Sequence, residues 1–485
     1  MHPRHSLSHP RNRDSHLACA VLAQGPHRAK GELEITFWSQ TVPQLIDTIP
    51  PVAAAATAFG ASFEEHALNR TSSLPAVGAV QKYCHALRIV QQEVAGLQYG
   101  TLPCMVACLL MAFTEVLQQR INQAFLHVQG SFALMMNQGC RESTTQVDQE
   151  GISTLFEKLD LHAATYVQSR SPSVPSLYAA TPQPIPLPPD RALCRVLRAS
   201  YHFTSTARRW KYTHPREIPS ALFIEQGRHL GSLRHWLSSH RREPSLAAGA
   251  SQNQQLIVLR AQSLAGFIHC ANFLEPTEVS YDAYSVEFQE IIALAESLFE
   301  MQLEEQQRSP TLSTNKNMPT FTPEMGIAQP LFLTVLKYRH PFWRRKALHL
   351  LLKSGKEGPW CGIIEGTLLK VVIEAEEDML HHHVQTADID EAENIELAQH
   401  DPSSIIERQR VHLFWVVGYL DQHQDSIGLN EGQGARAKFA QVQLCKCRDI
   451  DSLLNVERSE PDTNFWHDQA HWDTWIKTVQ LPGYL

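Results

Sequence analysis

Three features of the sequence predict an all-α fold, a multi-helix array of packed helical hairpins. Apolar residues recur at three- and four-residue spacing along most of the chain. Leu102–Phe113 is apolar all round and flanked by amphipathic segments, as expected of a helix at the centre of a bundle. Between residues 328 and 378, apolar segments meet at a corner set by Pro341. With 485 residues and 43% hydrophobic content the chain can bury a substantial core, which argues against wholesale disorder. One large helical domain is expected over residues 32–425. A flexible basic lead over 1–31 precedes it, a Pro-rich linker near 169–190 interrupts it, and a weakly patterned tail over 426–485 follows it.

The elements follow in order. Phe37, Trp38, Val42, Leu45 and Ile49, then an Ala-rich run, predict short helices broken at Pro43 and Pro50-Pro51. Tyr83, Ala86, Leu87, Val90 and Val94 mark an amphipathic helix over 80–97. After Gly100, Thr101 is placed to cap the apolar helix that runs to Leu117, and Ala124, Phe125, Val128, Phe132 and Leu134 build the next. Ser169–Asp190 is rich in Pro and Ser and reads as an extended spacer. Beyond it Phe223, Leu230, Leu233 and Leu237 share a helix face, and Leu256–Leu274 and Tyr284–Leu303 predict two longer helices.

From Ala328 a helix should stop near Arg339, because Pro341 drives His340 out of the helical region; a second helix then opens with Pro in its first turn. Trp360, Ile364, Leu368, Leu369 and Val372 mark a third, ending in the acidic run 374–378. A last helix is expected over Val411–Leu420.

Composition and charge narrow the chemistry. The formal charge is −8 and the sequence pI about 6.3, so no global basic field exists to hold nucleic acid. The Arg-Arg steps at 208–209, 241–242 and 344–345 are isolated and read as solvated surface rather than phosphate contacts. The ten cysteines are mostly single, which fits buried reduced thiols; Cys104 with Cys108 and Cys445 with Cys447 lack the second pair a zinc site needs. His381-His382-His383 cannot all face one ion from a helix, so a solvated helix end is preferred to a metal site. Glu115 and His127 invite an acid–base role, but a structural role fits better without a further ligand or nucleophile. No P-loop, dinucleotide fingerprint, nucleophile elbow or His-Glu-x-x-His occurs. No catalytic, cofactor-binding or metal residue is assigned, no cofactor is expected, and the longest apolar stretch is too short to span a bilayer.

The corner also carries a resemblance. Tyr338-Arg339-His340-Pro341, the step Trp343-Arg344-Arg345, Ala347-Leu348-x-Leu350-Leu351 and the segment Lys353–Trp360 follow the order found in the regulatory domain of fungal binuclear zinc cluster transcription factors. That family usually has Cys-Arg-Asp-Pro at the corner and Arg-Arg-Glu-Gly-x-Trp before the third helix. Phe37-Trp38, Pro43-Gln44, Pro50 and the Ala run 53–61 are similar to the start of the family's domain, as are Glu115, Ala124-x-x-His127-x-x-Gly130 and the segment Pro219–Leu230 further on.

The resemblance implies a non-enzymatic nuclear protein that regulates transcription, in some relatives over a metabolic or secondary-metabolite gene cluster. The partners it implies are other transcription factors or the transcription machinery, a second copy or related chain as a dimer, and a small-molecule effector. The family's six-cysteine DNA-binding module has no counterpart, since only Cys19 falls in the first eighty residues. DNA-binding residues therefore stay unassigned, and the chain is expected to be either a co-regulator or the product of an incomplete gene model. The rival reading is an all-helical enzyme acting on a lipid or isoprenoid. It requires carboxylates facing an apolar cavity, with Glu374, Glu377 and Asp378 the nearest candidates.

Overall fold

The computed structural model describes residues 13–24, 37–68, 77–96, 99–138, 146–167, 170–172, 187–240, 250–308, 321–322, 325–377, 405–422, 437–448 and 471–482. These form an array of packed helix pairs, as the periodicity predicts, together with a C-terminal sheet that it does not.

The N-terminal helices surround an apolar centre. After α1 (Arg13–Gln24) and a π-turn at Phe37–Thr41 come α2 (Val42–Thr48), α3 (Pro50–Leu68), α4 (Val77–Gly96), α5 (Thr101–Leu117), α6 (Ile121–Gln138) and α7 (Gln146–Tyr166). Every residue of α5 from Pro103 to Leu117 is buried, which is why its sequence lacks a polar face. Gly100 rather than Thr101 occupies the position before α5, with φ at 92°, a conformation that favours glycine.

Helix α1 corrects the expected flexible lead. Ala18 and Leu22 are buried against the N-terminal core, and Asp14 reaches Lys82 at 2.7 Å. The docking site is a small-residue surface on α3, where a Cβ placed on Gly60 would lie 1.9 Å from the Asp14 carbonyl oxygen. Gly60→Ala is therefore expected to push α1 off α3 and to lower stability by about 1–3 kcal/mol. A urea melt combined with limited proteolysis between α1 and α2 checks this; an unchanged midpoint and cleavage pattern would show that α1 does not dock at Gly60.

A second group comprises α8 (Pro189–Thr206), α9 (Ser220–Ser239), α10 (Ala250–Ala271) and α11 (Ser285–Arg308), packed with α12 (Ala328–Lys337), α13 (Pro341–Lys353) and α14 (Gly362–Glu377). Tyr166 at the end of α7 packs against both apolar cores and joins them. The corner behaves as its proline dictates. Helix α12 stops at Lys337, two residues earlier than expected, His340 is extended with ψ at 117°, and Pro341 opens α13.

Trp360 lies not in the third helix but in a small sheet before it. There β1 (Phe321–Thr322) pairs in parallel with β2 (Lys356–Glu357), which turns at Gly358 into β3 (Trp360–Cys361).

The helix expected over Val411–Leu420 is a strand. β4 (Leu413–Gln422), β5 (Ala437–Cys447) and β6 (Trp472–Gln480) form an antiparallel sheet in that order. Phe414-Trp415-Val416-Val417 is β-branched and aromatic, and its side chains alternate between half-buried and exposed, the period of a pleated strand. Ala440, Val442 and Leu444 of β5 are fully buried in the core shared with α12 and α14, so two further strands lie within the segment read as a weakly patterned tail. Of the Pro-rich linker expected near 169–190, residues 169 and 173–186 lie outside the described residues, and Pro189 and Asp190 already open α8; His381–His383 also lie outside the described residues. Among the described residues, no helix is long and apolar enough to cross a membrane.

Candidate functional site

The corner motif is the base of a buried charge network. Pro341 ends α12 so that Lys337 and Arg339 project from the chain just before the turn, while Arg344 follows one turn into α13. Arg339 and Arg344 are both fully buried. Arg339 Nη2 donates to Glu278 Oε2 at 3.0 Å and to Glu376 Oε1 at 3.1 Å. Lys337 Nζ donates to the same Glu278 oxygen at 2.7 Å. Arg344 Nε donates to the Val335 carbonyl at 2.8 Å, and its Nη2 lies 2.7 Å from Glu376 Oε2, off the hydrogen-bond direction, as a Coulombic contact. Glu376 accepts in addition from the Val411 backbone N–H at 2.7 Å.

The network extends to the segment leading into β4. Arg410 forms a bidentate pair with Asp282, at 2.9 and 2.6 Å, and its Nη1 donates to the Glu278 carbonyl at 3.1 Å. His412 contacts Glu407 at 2.8 Å, and Glu407 accepts the backbone N–H groups of Glu278 and Val279. Burial pushes the Glu376 carboxyl up, but Arg339 and Arg344 outweigh it and hold it at about 2. Glu278 is likewise held below the usual carboxylate range, its burial outweighed by Lys337 and Arg339.

A cleft adjoins this network, with an empty volume of about 880 Å³ including the space that opens to solvent. Its wall is drawn from α7 (Thr165), α8 (Tyr201), the turn after α8 (Arg208 and Lys211), α10 (His269), α12 (Phe332, Leu333, Leu336 and Lys337), β3 (Trp360) and the start of β4 (His412 and Leu413). No carboxylate contributes to that wall. Lys337 and His412 belong both to the wall and to the network.

Burial pushes Lys211 down to about 8, and its ammonium lies 5.0 Å from the Tyr212 ring centroid and 5.5 Å from that of Phe273. Lys211 has no ion pair among the described residues. His269, stacked on Tyr201 at 5.2 Å, is pushed down to about 3 by burial and by Lys211 and Lys337, so it is neutral at pH 7. Phe332 packs against Trp360 at 4.9 Å, and the Trp360 indole N–H has no hydrogen-bond partner.

The residues singled out in the sequence are dispersed. Glu115 accepts from Tyr83 and lies 3.6 Å from Arg120, so its partners are structural, and His127 on α6 forms no hydrogen bond with it. Cys104 and Cys108 are buried in α5, Cys445 and Cys447 in β5, and Cys84 is exposed. Among the described residues no group of His, Cys, Asp and Glu is placed to hold a metal ion. Arg344 and Arg345 were read as solvated surface; instead Arg344 is buried on Glu376, and Arg345 pairs with Glu377. Arg241 and Arg242 fall outside the described residues. Of the carboxylates of the enzyme reading, Glu374 is exposed and Glu377 is paired with Arg345, while Asp378 lies outside the described residues. Sequence reasoning missed Lys211, His269 and His412, because their neighbours in the cleft come from segments far apart in the chain.

Comparison with family models, with curated proteins and with solved structures returns no match.

Proposed function

We propose that the chain is the helical regulatory domain of a transcriptional regulator or co-regulator, working in the nucleus with other transcription factors or the transcription machinery, and responsive to a small molecule held in the cleft. The observation that supports this most is the sharing of Lys337 and His412 between the cleft wall and the buried network. A ligand that draws on either residue competes with Glu278 or Glu407, and through Arg410 and Val411 the competition reaches the segment that feeds β4. A cavity that shares residues with a buried set of ion pairs is placed for a ligand to compete with those pairs, which is what a ligand-dependent switch requires. The motif residues of the family resemblance, Arg339 and Arg344, lie at the centre of that set.

The rival reading, an all-helical enzyme, would have to use another cavity, since no carboxylate contributes to the wall of this cleft whereas Asp190 lines a smaller one between α7, α8 and α10. A transcript profile of a strain lacking this chain, compared with its parent, tests the proposal. The expected result is a coherent gene set that moves together. Level transcripts with accumulation of one metabolite would contradict it and return the enzyme reading.

A further inference from the structure

The cleft wall is unusual in what it offers a ligand. Its lysine and arginine side chains, Arg208, Lys211 and Lys337, are all cationic, with no anion in the wall to match them, and beside them lie neutral groups such as Tyr201, His269 and Gln329 that can both donate and accept. Its apolar surface includes Phe332, Leu333, Leu336 and Trp360. The lack of any lining carboxylate disfavours a cationic ligand. A wholly apolar ligand would seal the Lys211 charge away from water without a counter-ion, which is unfavourable. A small inorganic anion such as phosphate would leave the Phe332–Trp360 wall without a partner.

We propose that the cleft is a receptor site for a small organic carboxylate bearing an apolar body, with the carboxylate held by Lys211 and the body resting on Phe332, Leu336 and Trp360. Lys337 does not serve as the primary anchor, because Glu278 already occupies it at 2.7 Å. Lys211 is the suitable one: its stem is packed among aromatic rings, and no carboxylate of the described chain neutralises it by direct contact.

The assignment rests on the ligand-responsive reading given above and is tested separately from it. Benzoate and octanoate are titrated calorimetrically into the purified full chain, with benzyl alcohol and octan-1-ol as neutral counterparts. Both acids are expected to bind at least tenfold more tightly than the matching alcohols. Lys211→Met should abolish that preference while Lys211→Arg retains it, with circular dichroism confirming that both variants fold. Should Lys211→Met fail to fold, the acid–alcohol comparison on the unaltered chain and on Lys211→Arg still decides. Equal affinity for acid and alcohol, no binding of any probe at millimolar concentration, or full acid preference in Lys211→Met would overturn the assignment. Transcripts that respond to loss of the chain without acid binding would sink this assignment alone. Acid binding with an unaffected transcriptome would instead leave the site standing and sink the regulatory reading.

Discussion

Glu376→Gln is expected to lower the stability of the protein by about 3–5 kcal/mol, the usual cost of removing one partner from a buried ion pair. Glu376 is 1% exposed and serves Arg339, Arg344 and the Val411 N–H together. The amide keeps the shape and can still accept from Val411, but two buried guanidinium groups lose their shared counter-charge. Because folded domains are stable by only about 5–15 kcal/mol, the loss should lower the melting temperature substantially or leave the corner region unfolded. Glu374→Gln, two residues away but exposed, serves as the control and should change stability by less than about 0.5 kcal/mol. Thermal melts followed by circular dichroism check both; a Glu376→Gln melt within the range of the Glu374→Gln control would show that the network does not hold the corner together.

The second large effect is acid sensitivity above the range in which carboxylates titrate. His162 is 1% exposed with neither ring nitrogen partnered, and burial pushes it down to about 3. His269 is held near 3 as well. Both are depressed from an ordinary 6.5, so the unfolded chain binds more protons below that value. Their contribution is intact above 6.5 and is lost as pH falls toward 3. At pH 5 the loss from His162 alone is about 2 kcal/mol.

Glu365 acts with the opposite sign. Burial raises it to about 7 despite the nearby Lys356. Its contribution is full below 4.5 and disappears as pH rises through 7. Glu376, held near 2, loses its contribution only as pH falls below 4.5, outside this window. Urea midpoints measured from pH 7 to 5 separate the terms. The decline toward pH 5 should become shallower in His162→Leu and steeper in Glu365→Gln. Identical pH profiles in the parent and both variants would mean that neither group is buried as described.

How much of this was legible in the sequence depends on whether the deciding interaction is local. Pro341 acts on its own neighbours, so the corner between α12 and α13 could be placed within two residues. The apolar monotony of α5 likewise announces its burial without reference to any partner. Strand β4 was misread because Phe414 to Val417 is a short continuous apolar run, which fits either period until a partner strand is known. Its partner β5 begins at Ala437, beyond the reach of a hairpin signal. Arg344 and Arg345 looked like surface because their counter-charges on α14 lie about thirty residues further along the chain. The cleft was not legible, since its wall assembles residues from 164 to 413 and no spacing rule links Lys211 to Trp360.

The most direct test of the central claim, that this chain regulates transcription, is to fuse it to an unrelated DNA-binding module and measure a reporter carrying that module's operator. The fusion is expected to change reporter output at least several-fold relative to the module alone, and Glu376→Gln in the fusion should cancel the change. Reporter output equal to that of the module alone, from a fusion shown to be folded and nuclear, would contradict the claim.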